Sequence, residues 1–213
     1  MASNQQALYE VILFGQITDP DSRFSQQVLN RFTLRTDSSK SLHWREIIVQ
    51  RVHRQPEDEG VLVTLRKDLL ESQSPETGTL CTHLKPEPAR LHPEATVRQA
   101  TYCPITHGNG PAFASALGYR SKEEVYKRGY EFTRGSITIH MTQTDVVHPE
   151  TREILRAPET AAWHVEVKAR PIRNTQETPL SEQVEAVLEF KSSMKGLIDL
   201  DRIDIIAQAQ NRP

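Results

Sequence analysis

The sequence predicts a mainly β (α+β) fold: a single antiparallel β-barrel of about eight strands with flanking helices. Three observations carry that expectation. Residues 122–147 read as two extended runs about Arg134 and Gly135, with Val125, Tyr126, Tyr130 and Phe132 in the first and Ile137, Ile139 and Met141 at period two in the second. Residues 162–169 alternate strictly, Trp163, Val165 and Val167 against His164, Glu166 and Lys168. The remaining strand candidates follow one another without the βα alternation of a doubly wound sheet. A lone hairpin is marginally stable in water, so neighbouring strands and a covering layer are required.

Composition narrows the function classes. The 213 residues are 37% apolar, which argues against wholesale disorder, and all-β domains often reach this size undivided. The expected organisation is one barrel domain over residues 1–206, with a long exposed connection at about 67–96 and a flexible C-terminal tail at 207–213. A formal net charge of −2 provides no global attraction to nucleic acid or an anionic membrane. No run of about eighteen apolar residues is present, and the N-terminus lacks the basic and apolar regions of a signal peptide. Two cysteines, Cys81 and Cys103, do not make a disulfide framework and read as reduced thiols.

Along the chain, residues 1–6 are a loose start. Residues 8–17, LYEVILFGQI, form a strand candidate with Tyr9, Val11 and Leu13 on one face; Ile12 and Phe14 on the other imply that both faces are covered. Asp19 and Pro20 suit a helix entry, and Phe24, Val28, Leu29 and Phe32 make an apolar stripe that ends at residues 36–40. Residues 44–52 read as a strand interrupted by Arg45, Glu46, Gln50 and Arg51, and residues 61–66, VLVTLR, as a cleaner one. Pro75, Pro86, Pro88 and Pro93 disfavour a helix in the connection that follows, where residues 79–84 are a short strand at most. Extended structure returns at 97–105. Pro111 and Gly118 then bracket a short helix, and a last helix begins at Thr178-Pro179 with Leu180, Val184, Val187 and Leu188 as its buried stripe.

Little in this chain points to chemistry. There is no dinucleotide fingerprint, phosphate loop, HExxH or GxSxG, and Gly108-Asn109-Gly110 reads as a turn. Cys81, His83, His92, Cys103 and His107 are soft-metal donors, but their loose spacing matches no recognised closed zinc site. Glu10, Arg66, Arg98, Lys127, Arg128, Glu131, Glu166 and Lys168 all fall on expected strands. Facing inward, they form a polar tunnel able to grip a polyphosphate and a divalent ion; facing outward, they are the solvated face that a period-two strand needs anyway. Ile12 and Phe14, sharing a face with Glu10, speak against the catalytic version. Aromatic and basic residues interleave over 119–132, but Glu123, Glu124 and Glu131 dilute the field, and no sequence-specific nucleic-acid partner is expected.

One resemblance covers most of the chain. Leu117-Gly118-Tyr119-Arg120, the run VYKRGYEF at 125–132, GSITI at 135–139 and LYEVILFG at 8–15 resemble the family of Mediator complex subunit 18, as does LIDLDRID at 197–204. Residues 67–96 and 207–213 match it least. The resemblance implies a non-enzymatic, nuclear subunit of Mediator's head module, which links transcription regulators to RNA polymerase II. It also implies a barrel related to tunnel-type triphosphatases, without a cofactor. The implied partners are Mediator subunit 20, a barrel protein of similar fold, and a C-terminal segment of subunit 8 that tethers the pair to the rest of the head. The rival expectation is a divergent tunnel-type, metal-dependent phosphatase acting on polyphosphate or RNA 5'-triphosphate. A small-ligand-binding barrel is a third.

For an assembly protein, Phe190, Met194 and Leu197 are candidate partner contacts because they lie near the exit of the last helix, and Phe113 and Leu117 because they lie on the short one. Packing of each helix on the barrel is the competing explanation. On the interface expectation, Met194→Glu weakens assembly in a pull-down more than it weakens folding.

Overall fold

The computed structural model describes residues 8–18, 23–53, 56–70, 78–148, 150–158 and 160–202. The expected loose start, the helix entry at 19–22 and the expected tail at 207–213 lie outside the described residues. The first half of the chain comprises β1 (Leu8–Ile17), α1 (Arg23–Arg35), β2 (Ser38–Arg51), β3 (Leu62–Asp68), β4 (Gly78–His83), β5 (Thr96–Ile105) and α2 (Gly110–Ala116). The second comprises β6 (Tyr119–Arg134), β7 (Ile137–Val147), β8 (Ile154–Leu155), β9 (Trp163–Ala169), β10 (Ile172–Arg173) and α3 (Leu180–Ser193).

Eight of these strands close on themselves. The ladder runs β1-β5-β4-β3-β2-β6-β7, and β9 pairs antiparallel with both β7 and β1, so neither end of that ladder is left as an edge. The two-residue strands β8 and β10 extend it locally at β7 and β1. Closure explains why β1 is buried on both faces: Val11, Leu13 and Ile17 point to the helical layer, while Glu10 and Ile12 point inward. At the β6–β7 hairpin, Gly129 adopts φ +155°, and a Cβ there would lie 2.0 Å from the Met141 carbonyl oxygen, so only glycine permits this strand approach. The segment after α3 returns to β1, where Phe14 and Asp201 exchange two backbone hydrogen bonds of 2.9 and 2.7 Å.

Two apolar layers lie outside the barrel. The larger joins α1 and α3 to β1, β5, β6, β7 and β9, with Phe32 at ring-centroid distances of 5.5 Å from Phe132 and 5.9 Å from Phe190. The smaller seats α2 through Ala114 on Ile47, Val49, Val63, Leu65 and Leu80. As the sequence indicates, Pro111 falls in the first turn of α2; Asn109 caps it by accepting a hydrogen bond from the Ala112 amide.

Three expectations are corrected. The interrupted strand at 44–52 starts at Ser38, because β6 pairs with it along its whole length. Within the expected exposed connection at 67–96, the short strand allowed at 79–84 is present at 78–83, but as a ladder strand between β3 and β5 with Leu80, Cys81 and His83 buried. Phe190 and Met194 are not accessible at the helix exit: with Val187 they occupy one face at i, i+3 and i+7, and Phe190 and Met194 are 1% and 0% exposed beneath it. Leu197 is half-buried against the same layer, whereas Phe113 and Leu117 are exposed.

Met194→Glu therefore places an unpaired charge in the core. We predict a loss of roughly 3–5 kcal/mol or more in urea unfolding, against about 0.5 kcal/mol or less for Phe113→Glu. Equal unfolding midpoints for the two variants would contradict this placement.

Candidate functional site: a charge-paired barrel lumen

Residues paired across a ladder share a face, and the register therefore defines the lumen. Glu10 faces Arg98, Trp44 faces Lys127, Glu131 faces His140, and His140 in turn faces Glu166. Lys168 lies opposite both Thr138 and Ile12. Of the eight candidate tunnel residues, Glu10, Arg66, Arg98, Lys127, Glu131, Glu166 and Lys168 come together inside. Arg128 does not; it lies on the outer face, 3.1 Å from Asp145, and donates to the Ala157 carbonyl. The outward, solvated alternative therefore fails for seven of the eight.

Inside, every lumen carboxylate has basic neighbours. Arg98 Nε is 3.0 Å from Glu10 at the most enclosed point, where both side chains are 6% exposed or less. Arg66 and Lys127 each approach Glu46 to 2.6 Å, and the Arg66 guanidinium also lies 4.2 Å over the Trp44 ring. Glu131 is 3.5 Å from Lys40 and 3.2 Å from His140, while Glu166 is 3.5 Å from His140 and 3.8 Å from Lys168.

The protonation equilibria follow from this packing. Burial alone raises a carboxyl pKa, but Lys127 and Arg66 overcome it and hold Glu46 down at about 2. Arg66 is raised in turn: its burial is outweighed by the Glu46 charge. Glu166 is held well below the usual carboxylate range, with Lys168 and His140 outweighing its burial. His83 goes the other way, down to about 3, through burial and then the Arg98 and Lys168 charges. It is thus neutral at physiological pH, and its 3.5 Å approach to Glu10 is a polar contact, not an ion pair. Burial pushes the Cys81 thiol up, which keeps it protonated and unreactive.

The soft-metal candidates do not converge. Cys81 and His83 lie on β4, whereas Cys103 is exposed on β5, His92 pairs with Glu87 at 2.9 Å, and His107 is exposed beyond β5. Among the described residues, no three His, Cys, Asp or Glu side chains are grouped to hold a metal ion. Sequence reasoning missed Glu46, Trp44 and His140 as lumen residues. The available signal was parity: Trp44, Glu46 and Ile48 alternate with Arg45 and Ile47, and His140 interrupts Ile139 and Met141 only if one face alone is apolar.

The fold and its lumen define a class: a closed eight-stranded antiparallel barrel, polar inside and sheathed by helices outside. A family model described as Med18 protein matches residues 21–207, and the chain belongs to that family. Mediator of RNA polymerase II transcription subunit 18 from Yarrowia lipolytica is 24% identical over 97 residues, which are 46% of this chain and 42% of that protein. The matched region thus spans less than half the length of that curated relative. A chain of the Schizosaccharomyces pombe Mediator head module superposes with a TM-score of 0.75 at 18% identity, over 92% of this chain and 100% of that one. A protein from Pyrococcus horikoshii gives 0.62 at 14% identity, over 95% and 99%.

Acid should weaken this fold through the lumen. Glu46 falls from 4.5 to about 2 on folding, so its contribution of roughly 3 kcal/mol is present above pH 4.5 and lost as pH falls through 2. His83 falls from 6.5 to about 3, so the unfolded chain takes up a proton first and stability drops between those values. We predict a urea midpoint that declines continuously below pH 6.5, with Glu46→Gln less stable at pH 7 and its profile flatter below pH 4.5. A wild-type midpoint unchanged between pH 7 and pH 4 would count against both assignments.

Proposed function

We propose that this chain is a non-enzymatic structural subunit of the Mediator head module, acting in the nucleus to support regulation of RNA polymerase II transcription. The family match over residues 21–207 carries this reading. In it, the barrel pairs with Mediator subunit 20 as one barrel against another, and a C-terminal segment of subunit 8 anchors the pair to the remaining head. Apolar burial supplies the attraction at about 25 cal/mol per Å² before association costs, so shape and a few anchors decide partner choice. Phe113 and Leu117, 40% and 51% exposed on and just after α2, are the proposed partner contacts from the sequence. Phe190 and Met194, buried between α3 and the barrel, act in this reading by fixing that helix, with Leu197 at its margin.

The second reading is a tunnel-type phosphatase of polyphosphate or RNA 5'-triphosphate, favoured by the convergence of Arg66, Lys127 and Lys168 inside a closed barrel. Against it stands the pairing of those cations with Glu46 and Glu166, which a polyphosphate or a divalent ion would have to displace.

Co-expression with Mediator subunits 20 and 8 should yield a stable ternary complex on size exclusion, and purified protein should release no phosphate from tripolyphosphate with magnesium or manganese. Phe113→Glu combined with Leu117→Glu should reduce complex recovery while the variant remains folded. Separate elution of the three chains would remove the scaffold reading; metal-dependent turnover abolished by Lys127→Ala would install the phosphatase.

A further inference from the structure

Helix α1 carries a surface that the barrel does not use. Its sequence, RFSQQVLNRFTLR, holds Arg23, Arg31 and Arg35 and no acid, in a chain whose net charge is −2. Ser25, Val28 and Phe32 face inward. Phe24, Gln27, Arg31 and Leu34 recur at i, i+3, i+7 and i+10, with Arg23 and Arg35 beside them, so one outward stripe carries all three guanidiniums together with two large apolar side chains. Leu34 is 81% exposed and Phe24 37%. None of the three arginines has an ion-pair partner among the described residues. The first acid after the helix, Asp37, is engaged by the Gly135 amide at 2.8 Å. Helix α3, packed in the same layer, instead exposes Glu182, Glu185 and Glu189, the last of them 2.9 Å from Arg134.

We infer that this stripe of α1 is a docking surface for an acidic amphipathic segment of a partner protein, whose carboxylates meet Arg23, Arg31 and Arg35 while its aliphatic or aromatic side chains cover Leu34 and Phe24. Charge complementarity selects the sign of the partner, and the apolar pair selects peptide over nucleic acid, since a phosphate backbone offers nothing to bury Leu34 against. The guanidinium forks suit bidentate carboxylate contacts. The inference rests on the helix alone and does not depend on the Mediator assignment.

The test uses the full chain and a fluorescein-labelled synthetic peptide carrying Glu and Leu at helical spacing, read by anisotropy at low and physiological salt. The wild type should bind it, with affinity falling as salt rises. Combined Arg23→Glu, Arg31→Glu and Arg35→Glu should weaken binding about tenfold or more, and Arg31→Glu alone should weaken it more than the charge-matched single change Arg90→Glu, on the exposed segment after β4. Leu34→Ser, at a site too exposed to disturb folding, should weaken binding about threefold, and a Glu→Gln version of the peptide should fail to bind. No binding by the wild type, full affinity in the triple variant, or indifference to Leu34→Ser overturns the proposal. Stronger binding of a single-stranded oligonucleotide than of the peptide also overturns it and reassigns the stripe to nucleic acid.

Discussion

The pairing of β9 with both β7 and β1 is the constraint from which the other features follow. A sheet that closes on itself directs alternate side chains of every strand into an enclosed space, and that space must be filled. Had β9 paired on one side only, Glu10, Glu46 and Glu166 would sit on an open sheet face and keep their water. Closure desolvates them, and desolvation makes their partners obligatory. The positions of Arg66, Arg98, Lys127 and Lys168 are in that sense dictated by hydrogen bonding between strands some distance away in sequence.

The same closure sets the division of labour between faces. The apolar mass lies outside the barrel, where Phe32, Phe132 and Phe190 lock α1 and α3 against β1, β7 and β9. Such a core resists deformation, since close-packed side chains have few alternative arrangements. A rigid outer layer suits a scaffold, because binding a partner then needs little reorganisation of this chain. The lumen contributes by a different route. Its charge pairs hold neighbouring strands in register with directional contacts, such as Arg66 of β3 and Lys127 of β6 on the shared Glu46 of β2.

How much of this was legible depended on whether one face of an element was distinguishable from the other. The hairpin at Gly135 and the strand at 163–169 were readable because apolar residues occupy one parity and polar ones the other. The closed architecture followed from β1, whose two faces are both apolar in part. The short strand was allowed at 79–84, but its place inside the ladder was obscured because GTLCTH has no strong alternation and is flanked by prolines; its burial comes from pairing on both edges, which composition does not encode. Glu46 looked like a defect in its strand because a charged lumen inverts the usual rule that polar residues face solvent. Met194 was misplaced for a related reason: lying past the last helical turn, it looked peripheral, yet the turn to Gly196 tucks it beneath the helix.

The paired charges of the lumen have a physical explanation that requires no catalytic role. Replacing a buried ion pair by apolar side chains of similar volume is often neutral or stabilising, but the route passes through variants with one partner removed, each costing about 3–5 kcal/mol. Here the pairs are linked further: Glu46 is shared by Arg66 and Lys127, and His140 lies between Glu131 and Glu166. Removing Glu46 takes the carboxylate from both Arg66 and Lys127 at once, whereas removing either cation leaves Glu46 its other partner, so the cost of replacement depends on which member goes first. The presence of a charged interior is evidence of closure and coupling before it is evidence of an active site.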